Sequence, residues 1–151
     1  VAVTPRIKQT GAAQWRAALR HKGTQVHKAT RVATRQSKSL LERQIKQTLR
    51  RRSHKRGTPT PAPPGEPPAK ISGNLARSVK GRGPQLVRRG VWSAEVGPTA
   101  VYSRIQELGG QTGRHHGTHL PARPYVKPTV HAEFRRIREI YRRAWAEAIL
   151  S

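Results

Sequence analysis

The chain has 151 residues, of which 34% are hydrophobic and 5% aromatic, enough for one domain with one modest core and not for two. Lys and Arg number 31 against 7 acidic residues, a formal charge of +24, so an isolated chain repels itself and calls for nucleic acid, acidic protein or counterions nearby. The absence of cysteine excludes disulfides, thiolate metal sites and cysteine nucleophiles. No run approaches the ~20 apolar residues of a membrane-spanning helix, and Val1 to Thr10 lack the apolar middle of a signal peptide. A soluble chain made inside the cell, with no membrane partner, is the expectation.

Residues 1–23 are expected to form an arm or short helix, with Trp15, Ala18 and Leu19 as its apolar set and Gly11 and Gly23 as punctuation. From Thr24, a plausible N-cap, to about Arg56 there is no Pro or Gly before the end. Val26, Ala29, Ala33, Leu40 and Leu41 recur at helical spacing, followed by Ile45 and Leu49. Lys28, Arg31, Arg35, Lys38 and Lys46 fall on another face. A helix of that length spans about 50 Å. Arg50, Arg51 and Arg52 open the cationic run that ends it. Arg35, Lys38, Arg50, Arg51 and Arg52 are therefore the candidate residues for a surface facing a polyanion.

Residues 57–70 are proline-rich, which forbids helix or central strand and predicts an excursion within the domain. Ser72 to Ser78 reads as one or two helical turns. Gly81-Arg82-Gly83-Pro84 reads as a turn, and Trp92, Ala94 and Val96 alternate with Ser93 and Glu95 as a half-buried strand. Together these predict an antiparallel hairpin. Thr99 to Leu108 predicts a short helix stopped by Gly109-Gly110, Gln111 to Thr118 a polar loop, and Leu120 to Val126 an extended strand. Pro128 is expected to open a closing helix, since proline is tolerated at the first helical position, with Phe134, Ile137, Tyr141, Ala144 and Ala148 as its stripe. Glu139 and Arg143 are spaced as an i,i+4 pair. The expected fold is α+β: a long N-terminal helix, a small antiparallel sheet of a hairpin plus one strand, a short helix and a C-terminal helix. Residues 24–150 form its single domain.

The residues for chemistry are sparse. His115, His116 and His119 invite a metal reading, but Gly113 and Gly117 disfavour a helix that would align them, and no carboxylate lies in the loop. The acidic residues are Glu42, Glu66, Glu95, Glu107, Glu133, Glu139 and Glu147, with no Asp, too dispersed for a two-metal or triad site. Phosphate-binding glycine loops are absent as well. No catalytic residue, cofactor site or metal site is therefore assigned, and an enzyme is not expected. Sequence-specific DNA recognition lacks a motif too, because the long helix exits into prolines and not into a tight turn.

Three segments in order resemble a known family. Pro67-Pro68-Ala69-Lys70-Ile71-Ser72-Gly73-Asn74-Leu75-Ala76-Arg77-Ser78 is similar to a Pro-x-x-Thr-Gly-x-Leu-x-x-Ser pattern. Val96-Gly97, followed by Tyr102-Ser103-Arg104-Ile105-Gln106-Glu107-Leu108-Gly109-Gly110, is similar to Val-Gly…Tyr-Ala-x-x-x-Glu-Phe-Gly-Thr. Leu120-Pro121-Ala122-Arg123-Pro124-Tyr125-Val126-Lys127-Pro128-Thr129-Val130 is similar to Ala-x-Pro-Phe-x-x-Pro-Ala. The set resembles the phage morphogenesis proteins called minor tail, neck or tail-completion proteins of long-tailed phages. It covers about residues 63–150, with Ser72, Leu108, Gly110 and Tyr125 standing where the pattern has Thr, Phe, Thr and Phe.

The resemblance implies a structural subunit of a homo-oligomeric ring, sixfold by expectation, at the head–tail junction of a virion. Its neighbours would be a connector or stopper and a tail terminator or tail-tube protein, with non-specific contact to packaged DNA. Its motif residues would be scaffold: Gly73, Leu75, Ser78, Gly97, Tyr102, Glu107, Gly109, Pro124, Tyr125 and Pro128. Gly73 and Gly97 are expected to free the backbone at turns. Leu75, Tyr102, Ile105 and Tyr125 are expected to share one small core. Glu107 is expected to be a capped or salt-bridged carboxylate near Arg104 or Arg123. Two rival readings stay open: a basic accessory protein that binds nucleic acid, and a tail terminator or head-stopper at the same junction.

Overall fold

In the computed structural model, residues 11–57 and 62–151 are described; Val1 to Thr10 of the expected arm, and Pro59 and Pro61 of the proline-rich stretch, lie outside them. Helix α1 spans Ala12–Thr48, about 55 Å at 1.5 Å per residue. It begins well before Thr24. Gly23 lies inside it with open space around its Cα, and Thr24 turns its hydroxyl back to the Arg20 carbonyl at 3.0 Å, as an interior threonine does. The helix ends at Thr48, before the arginine run, because Arg50 and Arg51 turn their N–H groups onto the Gln47 and Thr48 carbonyls. The cationic run then leaves as irregular chain, tied down by His54 N–H to the Lys70 carbonyl at 3.1 Å and Lys70 N–H to the Arg52 carbonyl at 2.7 Å.

After the short helix α2, Asn74–Ser78, strands β1, Val79–Arg88, and β2, Val91–Pro98, form the expected antiparallel hairpin. Its turn is at Arg89-Gly90. The expected turn at Gly81–Pro84 is instead an irregularity inside β1: the register slips between Arg82 and Gln85, where Gly83 has φ +81° and the Gly83–Pro84 peptide is cis. Helix α3, Ser103–Leu108, is shorter than the spacing predicts. Val101 stays outside it and is 98% exposed.

The strand expected over Leu120 to Val126 is displaced. Gly110–Thr112 (β3) and Thr118–Leu120 (β4) pair as a second hairpin around a short 3₁₀ turn at Arg114–His116. Pro121 to Tyr125 form no strand, since the prolines at 121 and 124 withhold the N–H groups a ladder needs. Helix α4 spans Val126–Leu150.

α4 runs antiparallel along α1. Thr129 Oγ1 meets Thr48 Oγ1 at 3.2 Å, the Tyr141 hydroxyl meets Thr34 Oγ1 at 2.8 Å, and Trp145 Nε1 donates to Thr30 Oγ1 at 3.0 Å. Small residues on α1, Ala33, Thr34 and Ser37, are buried in this contact, which lets the helices approach closely. That pairing places the end of α4 near Val26. The first turns of α1 therefore project beyond it, with Trp15 and Leu19 exposed. The core sits at the other end of the pair. Ile45, Leu49, Ala76, Val79 and Tyr125 form it, with Leu75, Val96 and Val126 packed against it.

Candidate functional site: the junction of three sequence motifs

The three segments that carry the family resemblance meet at the N-terminus of α4. Four N–H groups at any helix start lack intrahelical partners; here they belong to Tyr125, Val126, Lys127 and position 128. Glu107, from the last turn of α3, satisfies the first three. Its Oε2 accepts from Tyr125 N–H at 2.8 Å and Val126 N–H at 3.0 Å, and its Oε1 from Lys127 N–H at 2.9 Å. The fourth donor does not exist, because residue 128 is proline. Thr129 completes the turn by donating its hydroxyl to the Tyr125 carbonyl at 2.6 Å. A carboxylate at this end also opposes the positive pole of the helix dipole.

Of the two expected roles for Glu107, the structure selects capping. The partner is backbone, and neither Arg104 nor Arg123 pairs with it. Arg123 contributes through its main chain, its N–H donating to the Gln106 carbonyl at 2.8 Å. Gly109 makes the close approach possible. It has φ +71°, and a Cβ there would stand 2.7 Å from the Ala122 nitrogen and 2.9 Å from the Leu120 oxygen. Pro124 lies half-buried just ahead of the capped turn.

Tyr125 is fully buried among Ile45, Leu49, Ala76 and Val79, and its hydroxyl donates to the Ser103 carbonyl at 3.4 Å. Burial pushes this phenol well above its ordinary range, and the Glu107 carboxylate pushes in the same direction. The first motif reaches the same core through Leu75 and Ala76. Gly73 precedes α2 with φ +77°. Ser78 closes α2 by donating to the Leu75 carbonyl at 2.8 Å, and its own carbonyl accepts both the N–H and the hydroxyl of Thr99 at 3.0 Å.

Three motif residues sit otherwise than expected: Ile105 is only half-buried and outside the core cluster, and the other two are Gly97 and Tyr102. Gly97 is not at a turn: it pairs with Lys80 inside the hairpin, has no left-handed φ, and has open space where a side chain would stand. Tyr102 does not join the core. It is 42% exposed and, with Ile71, lines a groove of about 510 Å³ whose floor includes Leu49 and Leu75 and whose basic side chains are Arg56 and Lys70.

No family model matches this chain, and no similar curated protein or solved structure was found. Its functional surfaces are therefore read from geometry. The five candidate cations do not form one surface. Lys38 turns toward the hairpin and donates to the Gly83 carbonyl at 3.0 Å. Arg52 pairs with Glu66. Arg51 lies beside it, near Pro67 and Pro68. Arg35 is exposed on the outer side of α1, and Arg50 is exposed in the turn just past its end. That segregation was not legible in the sequence, because the hairpin that captures Lys38 is distant in the chain.

The hairpin also takes Arg31, whose guanidinium lies 5.4 Å from the Trp92 ring centroid, while His27 packs on the same ring at 5.1 Å. In the histidine loop His119 pairs in β4 with Gln111 and His115 has φ +59°, and among the described residues no group of three His, Asp or Glu is placed to hold a metal. Among the same residues, no helix is long and apolar enough to cross a membrane.

Proposed function

We propose that this chain is a structural subunit of the neck of a long-tailed phage, a ring-forming tail-completion protein at the head–tail junction. One observation carries the reading. The three motifs, spread over residues 67–128, converge on a single capped helix start, where Glu107, Tyr125 and Pro128 each have a specific backbone or core task. Motif residues that hold a scaffold together are what an adaptor protein requires.

The surface supports assembly. Large apolar side chains are exposed at separate places: Trp15 and Leu19 on the projecting end of α1, Leu86, Val87 and Val91 at the hairpin tip, Tyr102 and Ile71 around the groove, and Leu108 at the end of α3. A closed ring uses two different faces of each subunit, head to tail, and separated apolar patches suit that use better than one patch would. In this reading one rim meets the connector or stopper and the other meets the tail terminator or tube, and the work is binding without bond chemistry.

The test is particle assembly without this chain. Filled heads and finished tails that fail to join, with joining restored by adding the purified protein, are the expected result. Joined, infectious particles formed in its absence would refute the proposal. Cross-linking in complete particles then identifies the neighbours and separates tail completion from a terminator or stopper role.

A further inference from the structure

A feature on the outer side of α1 bears on the contact with packaged DNA that the neck reading includes, and it does not depend on that reading. On α1, Lys28, Arg35 and Arg43 recur at intervals of seven and eight residues, close to two helical turns each, so they share one face, and Arg50 follows in the turn just past the helix end. α4 and the first hairpin pack elsewhere on the helix, through Thr30, Thr34 and Thr48 and through His27, Arg31 and Lys38. All four cations are exposed, as are Val32, Gln36, Ser39 and Gln47 between them. None of the four has an ion-pair partner among the described residues. The nearest carboxylate on this helix, Glu42, is already held by Lys46 at 2.5 Å, with its pKa lowered by that bond.

From Lys28 to Arg43 the helical part of the stripe is about 22 Å long, about two-thirds of the ~34 Å of one duplex turn, and Arg50 extends it past the helix end. Duplex DNA presents a charge every ~1.7 Å along its axis. A helix with long cationic side chains can therefore reach phosphates over much of a turn. Residues 28–50 contain no Phe, Tyr or Trp, so this face lacks the stacking platforms that single-strand binders use. We infer that the outer face of α1 is a sequence-independent binding surface for the phosphate backbone of double-stranded nucleic acid, centred on Lys28, Arg35, Arg43 and Arg50.

The experiment uses the full chain and a 30-base-pair DNA duplex, titrated by fluorescence anisotropy across salt. The stripe variant is K28Q/R35Q/R43Q/R50Q. A charge-matched control, R88Q/R89Q/R135Q/R138Q, removes four exposed arginines from the hairpin tip and α4. Four phosphate contacts contribute a slope of about −3.6 in log affinity against log salt, or about 150-fold between 50 and 200 mM. The expected result is that the stripe variant loses about this much slope and at least tenfold in affinity at 100 mM salt. The control should stay within threefold of the unaltered chain. Unchanged helicity by circular dichroism confirms that both variants fold. Equal losses in the two variants would overturn the assignment in favour of diffuse charge. Undiminished binding by the stripe variant, or poly-glutamate bound as tightly as duplex at equal charge, would overturn it too.

Discussion

The carboxylate of Glu107 accepts the backbone N–H of Tyr125 at 2.8 Å while the Tyr125 ring is fully buried in the core. One residue thus fixes the start of α4 and the other anchors it, and each depends on the other. Without Glu107, three N–H groups at a partly buried helix start have no acceptor. Replacing it with Ala is expected to cost about 1–3 kcal/mol, and with Gln less, since one carbonyl oxygen still accepts. Urea denaturation of the three proteins should rank them wild type, E107Q, E107A. An E107A midpoint equal to that of the wild type would show that the cap is unimportant.

Tyr125 predicts a loss of stability in alkali. Its phenol is raised above the ordinary value near 10 by burial first and by the Glu107 carboxylate second. The folded state therefore keeps a proton that the unfolded state gives up. That contribution is complete below pH 10 and declines as the pH climbs past it. Denaturation midpoints between pH 9 and 11 should fall in the wild type and fall less steeply in Y125F. Y125A, which empties the site, is expected to lose about 3–5 kcal/mol at neutral pH.

Gly109 and Gly97 belong to the same sequence motif and should behave oppositely. Alanine at 109 meets backbone at 2.7 Å with φ +71°, neither of which relaxes cheaply, so G109A is expected to lose more than 1 kcal/mol. Alanine at 97 meets nothing within 4 Å in a β strand, so G97A should fall within about 0.5 kcal/mol of the wild type. Thermal melts of the pair check this directly.

Gly23 tests the continuity of α1. It lies in the helix interior, exposed, with nothing within 4 Å. G23A should therefore stabilise the projecting end by about 0.5–1 kcal/mol and raise the helical signal in circular dichroism. If the chain broke there, as glycine punctuation suggests, the substitution would leave helicity unchanged.

Local patterns located most of the elements. The 3–4 spacing of Ile137, Tyr141, Ala144 and Ala148 marked α4, and Glu139 does bond Arg143 at 2.6 Å, sharing itself with Arg142. The alternation around Trp92 marked β2. Boundaries were less legible. Gly23 was a reasonable stop by propensity, but its cost of about 1 kcal/mol is small beside a helix of 37 residues. The second hairpin was hidden because strands of three residues carry too little periodicity to read.

By itself the sequence determined the helical stripes, the first hairpin, the excess of positive charge and the dispersal of the carboxylates, since each follows from residue type and near-neighbour spacing. Only the tertiary structure decided which role Glu107 takes, why Pro128 suits the helix start it closes, and which cations share a face. Those depend on contacts between residues distant in the chain: 18 positions separate Glu107 from Tyr125, and 45 separate Lys38 from Gly83. A carboxylate in so arginine-rich a chain has several equally cheap partners, and only packing brings the three unpaired N–H groups of α4 within its reach.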